Sequence, residues 1–339
     1  MRLQSQPGKG FRQCVGVDIS KSKFTVCICR MNPGEAAFFT DSVDFNNNKT
    51  GFNQLVKWAR RNTFKDYPIL FLMEPTSTYY EALVYHLTKL KFTVYVVQPR
   101  RVRAFMESEG VRTKTDPIDA LWLSQMGCIK TRLKPWVTPD PAYQELRQIT
   151  RTSAELSKAR TMLCNHREAL IHGAVPSKES LKSIDTLINS IDRQLEKNEQ
   201  LLQKTLEMHP EIKEMIEYAS SIKGIGFVTA TIIIAETQGF AQITSRRQLA
   251  SFAGLDVVAR DSGTSTPKRH ISKHGCMYIR RALFMCAMSA CKSNPQMKAI
   301  YQRLSSNKAK NVAFTAIMRK LLLLTFTLCK TKTKYDPEK

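Results

Sequence analysis

Cys14-Val-Gly-Val-Asp-Ile-Ser-Lys-Ser-Lys-Phe-Thr-Val-Cys-Ile-Cys-Arg30 decides the reading of the N-terminal half. Two apolar runs, residues 14–18 and 24–30, flank the short polar turn 19–23, which is the pattern of two strands in a hairpin. Residues 36–45 read as a third strand. The run Ile69-Leu-Phe-Leu-Met73 is a buried strand, residues 79–90 are helical, and 92–97 form another strand. Three strands in hairpin order followed by strand–helix alternation predict a mixed sheet flanked by helices.

Beyond that half the period changes from two to three and a half. Ile184, Ile188, Ile191, Leu195, Asn198 and Leu202 step by alternating fours and threes, a heptad seam with one polar interruption at Asn198. Leu146, Ile149, Leu156, Leu163 and Leu170 repeat that spacing less cleanly, and residues 172–177 supply a Gly- and Pro-containing turn. A long antiparallel helical hairpin follows, as an oligomerisation or spacing arm or as a two-helix packing inside a domain. Near residue 220, Ser221-Ile-Lys-Gly-Ile-Gly226 precedes the apolar stretch 227–236. A Gly-x-Gly turn between helices leaves backbone N–H groups for a phosphate, as in helix-hairpin-helix DNA binders, and it also serves as a plain turn. The fold class is therefore α/β plus α. Its parts are a mixed-sheet domain over 1–135, a helical coiled-coil arm over 136–217 and a mostly helical domain over 218–339.

The 339 residues carry 52 Lys and Arg against 29 Asp and Glu, a net charge of +23. Residues 1–142 hold +9, residues 143–217 hold −1 and residues 240–339 hold +15, so both ends face a polyanion and the middle does not. Nucleic acid is the expected partner, ahead of an acidic membrane. The stretches 227–235 and 321–329 are too short to span a bilayer, and the polar N-terminus lacks the apolar core of a signal peptide. Nine cysteines without a CxxC pair argue against a zinc ribbon or a disulfide framework and for a reducing cytoplasm.

Four carboxylates stand out. Asp18 ends the first strand, Glu74 follows the strand 69–73, and Asp116 and Asp119 lie in Lys114-Thr-Asp-Pro-Ile-Asp-Ala120. Pro117 suits the first position of a helix, which makes Asp116 its N-cap and sets Asp119 one turn on. An Asp at a strand end also serves a turn, and Asp-Pro-x-Asp also serves a cap. In this order on a basic chain the four fit two-metal phosphodiester chemistry, whose Mg²⁺ takes hard oxygen ligands. An actin-like ATPase also opens with an Asp on its first strand, but it needs a Gly-rich loop where this chain has Ile-Ser-Lys-Ser.

The basic C-terminal part offers a second chemistry. Ser262 stands beside Gly263 in a polar loop with Lys268, Arg269 and Lys273, ahead of a helix beginning near Cys276 that carries Arg280 and Arg281. Cations around a serine stabilise the charge of phosphoryl transfer. A turn serine of no consequence is the competing reading, and Ser265 is a second candidate nucleophile. His270 and His274 have only Cys276 near them and read as phosphate-facing or solvated. Lys223, Gly224, Gly226, Lys268, Arg269, Lys273, Arg280 and Arg281 are the expected nucleic-acid contacts.

The motifs Val-Gly-Val-Asp18-Ile-Ser-Lys, Glu74-Pro-Thr-Ser-Thr-Tyr79, Lys114-Thr-Asp-Pro-Ile-Asp119, Ile222-Lys-Gly-Ile-Gly226, Ser262-Gly263 and Ile271-Ser-Lys273-x-Gly275 with Arg280-Arg281 resemble the DEDD transposases of bacterial insertion sequences, the insertion sequence 110 family, and their relatives the pilin-gene DNA invertases. The resemblance covers about residues 12–330. It implies a RuvC-like domain of RNase H type whose Asp18, Glu74, Asp116 and Asp119 bind Mg²⁺, with Mn²⁺ as a substitute. It implies a C-terminal transposase domain in which Ser262 forms a phosphoserine link to DNA. It further implies donor and target DNA and a non-coding bridge RNA as partners, RNA pairing as the reader of sequence, and a homo-oligomer, dimer or tetramer, joined through the helical arm. No membrane partner is expected, and the cytoplasm, at the nucleoid, is the expected place. The chain departs from the family's usual pattern at Val257, where proline is frequent, and at Cys276, where asparagine is. A site-specific invertase of the same chemistry, a junction-resolving nuclease without a serine nucleophile, and a catalytically decayed scaffold are the other readings.

Overall fold

The computed structural model describes residues 7–258 and 270–337. The chain divides into two compact units, Met1–Thr138 and Pro139–Lys339.

The first unit runs β1 (Arg12–Ile19), β2 (Lys23–Met31), β3 (Phe38–Phe39), β4 (Val43–Asn46), α1 (Lys49–Arg61), β5 (Ile69–Met73), α2 (Glu81–Lys89), β6 (Thr93–Val96), α3 (Pro99–Ser108) and α4 (Asp116–Ile129). Its mixed sheet has the order β3-β2-β1-β5-β6, with β4 also on β2, which is the RNase H-type arrangement. β1 lies antiparallel to β2 and parallel to β5, with Asp18 opposite Thr25 and Val17 beside Met73. β5 and β6 are parallel.

The single third strand expected over 36–45 is two. β3 pairs β2 at Cys29↔Phe39, and β4 pairs it at Thr25↔Asp44. Between them the Ile28 N–H is taken by the Thr40 hydroxyl at 3.0 Å, so a side chain replaces a backbone rung and the ladder breaks there. Two helices of this unit, α1 and α3, had no counterpart among the expected elements. α1 is capped by the Asn48 side chain, which accepts from the Gly51 N–H at 2.9 Å, and it buries Phe52, Leu55, Val56 and Ala59 at helical spacing. α3 begins at Pro99 and buries Val102 and Phe105.

Strand alternation sorts the core into two layers. Val15, Val17, Ile19, Phe71 and Met73 pack with α1 and α2 residues on one face. Cys14, Leu70 and Leu72 pack with Phe105, Leu123 and Met126 on the other. Helix α4 lies close against that second face because two glycines remove side chains between them. A Cβ at Gly16 would meet the Ala120 carbonyl oxygen at 2.1 Å, and one at Gly127 would meet the Cys14 sulfur at 2.1 Å.

The second unit holds α5 (Pro141–Ile171), α6 (Lys178–Met208), α7 (Pro210–Ser220), α8 (Phe227–Thr237), α9 (Arg246–Phe252), the strands β7 (Val257–Val258) and β8 (His270–Ile271), α10 (Met277–Ser293), α11 (Pro295–Ser305) and α12 (Lys310–Thr331). α5 and α6 form an antiparallel hairpin. Its register is marked by Arg160–Asp192, Arg167–Asp185 and the Asn198 amide donating to Ser153 Oγ at 3.4 Å. The heptad interruption at Asn198 is thus a polar contact across the pair. Ile184, Ile188 and Leu202 are buried, while Leu156, Leu163 and Leu170 are only half-buried. At its base α5 is tied to α8 by a two-point ion pair: Arg151 Nε and Nη2 donate to the Glu236 carboxylate at 2.7 and 2.8 Å. Glu236 is 5% exposed.

One sequence expectation changes here. The apolar stretch 321–329 is part of the 22-residue α12, which is long and apolar enough in length and composition to cross a membrane. Half of its apolar window is buried, and Ile317, Met318, Leu321 and Leu322 sit in one core with α8 and α10 residues. That burial makes it a core helix of this unit.

Candidate active site

The same alternation that sorts the core aims two carboxylates. Cys14, Gly16 and Asp18 share the α4 face of β1, and Leu70, Leu72 and Glu74 share that face of β5 and its continuation. Because β1 and β5 are parallel with Val17 beside Met73, Asp18 and Glu74 leave the sheet side by side. Helix α4 crosses this edge with Asp116 and Asp119 in its first turn. The N-cap is Thr115, whose carbonyl accepts from the Asp119 N–H at 2.8 Å, so Asp116 is the first helical residue rather than the cap. The cap moves back one position because Thr115 is the residue that keeps extended backbone, with φ −147° and ψ 154°.

The electrostatics follow from the placement. Burial, then the neighbouring charges of Asp119 and Asp116, push the Asp18 carboxyl from 3.8 to about 6. Burial raises Glu74 and Asp119 as well, and the Lys114 ammonium opposes the rise at both. Lys114 Nζ lies 3.6 Å from Asp119 Oδ2. Asp119 Oδ1 is buried with no hydrogen-bond partner. An orphaned carboxylate oxygen beside two half-buried carboxylates is a set of hard oxygen donors, and it fits a divalent cation. Among the described residues no three such side chains lie close enough together to hold an ion as they stand. Asp116 is exposed at the rim.

In the second unit, Ser262, Ser265, Lys268 and Arg269 lie outside the described residues. The ends of that segment are joined by β7 and β8, with Val258 opposite His270. His270 and His274 are both exposed. Lys273 is exposed with φ +54°, and its N–H donates to the Gly254 carbonyl at 3.1 Å. The Arg280 guanidinium is committed to backbone: Nη1 donates to the carbonyls of Ala253 at 2.8 Å, Gly275 at 2.9 Å and Cys276 at 3.3 Å. It clasps the turn at Gly254 to the start of α10. Arg281 is exposed and faces a cleft shared with Lys158 and Asn165 of α5. At the two departures from the family pattern, Val257 is 53% exposed in β7, and the Cys276 thiol donates to Glu236 Oε2 at 3.3 Å. Burial and the Glu236 charge push that thiol up to about 11.

The turn before α8 is set by packing. Gly224 has φ +109°, and a Cβ there would meet Ala290 Cβ at 2.5 Å, so only glycine fits. Gly226 opens to free space and α8 starts without a side-chain cap, leaving its first N–H groups beside the exposed Lys223. Two contributors escaped the sequence reading. Lys114 was visible inside the quoted motif, two residues before Asp116. The pair Arg151 and Glu236, 85 residues apart, has no local signal.

Comparison with known proteins follows the same outline. Residues 15–176 match the family model of the DEDD transposase of IS110, and residues 216–302 match that of the transposase IS116/IS110/IS902 family. The chain is 28% identical over 330 residues to the pilin gene-inverting protein of Moraxella bovis, covering 95% of this chain and 97% of that one. It is 22% identical to a probable family 20 transposase of Pseudomonas aeruginosa, over 95% and 98% of the two chains. A 155-residue stretch is 24% identical to an IS110 insertion-element protein of Streptomyces coelicolor, covering 45% and 37%. With two models of one family matched in chain order, the chain belongs to the IS116/IS110/IS902 family of transposases, enzymes of DNA recombination.

Proposed function

We propose that this protein excises and inserts a DNA element, guided by a bridge RNA, with Asp18, Glu74, Asp116 and Asp119 as the metal-binding carboxylates and Ser262 as the nucleophile. The observation that carries this reading is the convergence of Asp18, Glu74 and Asp119 on one side of the sheet, with Asp119 Oδ1 unpartnered. A bound divalent ion, Mg²⁺ or Mn²⁺, would supply positive charge against the phosphate oxygens as bond order shifts between the attacking and leaving oxygens. The carboxylates would hold that ion, and the Lys114 ammonium tempers their mutual repulsion. The Ser262 hydroxyl oxygen forms a bond to phosphorus, the bond from phosphorus to the leaving sugar oxygen breaks, and the serine proton ends on that oxygen. A second strand's hydroxyl reverses the exchange, releasing Ser262. The reading assigns strand capture to the turn at Lys223, Gly224 and Gly226 and to the +15 C-terminal part, through Lys268, Arg269, Lys273 and Arg281, and assigns Arg280 to shaping the loop base. In the same reading 1–135, 136–217 and 218–339 are the catalytic, arm and serine regions, and the arm joins copies as a coiled coil at the nucleoid in the cytoplasm.

Trapping on a cleavage-site DNA tests the scheme. Ser262→Ala is expected to abolish the covalent protein–DNA adduct, and an adduct that persists rejects the serine. Asp18→Asn and Asp119→Asn are expected to lower strand transfer by ~10²-fold or more. If cleavage survives Ser262→Ala but not Asp18→Asn, the junction-nuclease reading takes its place.

A second reading, inversion of one chromosomal segment, is favoured by the full-length similarity to the Moraxella bovis pilin gene-inverting protein. Sequencing RNA that co-purifies with the full chain, and mapping the flanks of its locus, separates the two.

A further inference from the structure

A cleft of about 670 Å³ opens beside the carboxylates in the first unit. Glu74 and Asp119 line it together with Arg100, Arg103, Arg112 and Lys114. Two of these cations are engaged: Arg103 holds Glu107 at 3.0 Å, and Lys114 leans on Asp119. Arg100, on α3, and Arg112, in the 109–115 loop, are exposed and enter no ion pair among the described residues. Helix α3 begins at the cleft with Pro99 in its first turn, no side-chain cap and no acidic residue there, so its N-terminal end favours an anion as well.

Resting on the function proposed above, we propose that this cleft seats the sugar-phosphate backbone of the DNA strand next to the bond being exchanged, with Arg100 and Arg112 as its phosphate-positioning residues. A linear polyphosphate ester is the ligand class that satisfies the whole cleft. Its neighbouring phosphates meet guanidinium groups that bind such oxygens in pairs, while one phosphate reaches the carboxylates. A small dianion would fill little of a cleft of about 670 Å³. A neutral ligand would leave both guanidinium groups unmatched. Lys114, 3.6 Å from Asp119 and exposed, can exchange that carboxylate for a phosphate.

The test uses the full chain and a fluorescein-labelled 20-nucleotide single-stranded DNA, read by anisotropy in EDTA across a salt series. Arg100→Ala/Arg112→Ala is expected to weaken binding about tenfold at 0.1 M salt and to flatten the log K against log salt slope by roughly 1.4, the loss of two single-strand phosphate contacts. The matched control is Arg60→Ala/Lys91→Ala. Those residues line another basic cleft, about 450 Å³, beside Ile69 at the opposite end of β5. Equal losses in both double variants, or an unchanged slope in the first, overturn the assignment. Both pairs are exposed, and a thermal melt within 2 °C or so of the parent shows that each variant is folded. DNA cleavage by Asp18→Asn is scored separately. Cleavage that survives that change rejects the carboxylate reading, whereas the slope decides the cleft.

Discussion

Asp18 holds a proton to about pH 6, against 3.8 for an unperturbed group, chiefly because it is buried and then because Asp119 and Asp116 face it. Between about pH 4 and 6 the folded chain therefore keeps a proton that the unfolded chain has lost, so stability falls as pH rises through that window. Discounted for its partial exposure, the loss is about 1–2 kcal/mol. Urea midpoints in EDTA are expected to decline from pH 4 to pH 6.5, and Asp18→Asn to remove most of that decline. Lys114→Met is expected to steepen it, because the ammonium is the cation that opposes the rise at Asp18, Glu74 and Asp119. A decline unchanged by either substitution would contradict the electrostatic picture of the site. The acidic residues themselves were legible from their order along the chain. Their coupling was not, because it depends on which face of a strand each occupies.

At the scale of elements, the approach of α4 to β1 determines whether Asp119 can face Asp18. Gly16→Ala would place a methyl 2.1 Å from the Ala120 carbonyl oxygen and 2.2 Å from the Ser124 nitrogen, both rigid helix backbone. The helix must move off the sheet, and a loss of about 2–4 kcal/mol in urea unfolding is expected, with strand transfer falling further than stability alone explains. The base of the arm offers a second measurement. Arg151→Ala strands the Glu236 carboxylate, 5% exposed, without its guanidinium, and about 3–5 kcal/mol of stability is expected to go. Arg151→Met with Glu236→Gln is expected to recover a substantial part of it, since no buried charge is left. The heptad spacing made the hairpin legible, and Asn198 meets Ser153 across it. The split of residues 36–45 into β3 and β4 was not legible, because the break comes from the Thr40 hydroxyl taking the Ile28 N–H. Nothing in local sequence marks a hydroxyl as a rung.

For the whole molecule, the charge of +23 is divided between the two ends and spares the arm. Binding of the full chain to a long duplex is expected to weaken steeply with salt. Substituting exposed basic residues of the arm, such as Lys182 and Arg193, is expected to leave the slope within experimental error. A slope that fell by ~1 or more for the arm variants would mean that the arm lies along the nucleic acid, against the charge division. The matched stretches 15–176 and 216–302 leave all of α6 and the first half of α7 unmatched.

Period, charge and motif order along the chain were sufficient for the mixed sheet, the helical hairpin, the basic ends and the four acidic candidates, because each depends on near neighbours or on composition. Tertiary structure alone decided the rest. It placed Asp18 and Glu74 side by side through the parallel register of β1 and β5, and let α4 approach through Gly16 and Gly127. It buried half the apolar window of α12 in a core, and joined Arg151 to Glu236 across 85 residues. Those outcomes depend on which surfaces meet, and linear spacing does not encode a meeting between segments that only packing brings together.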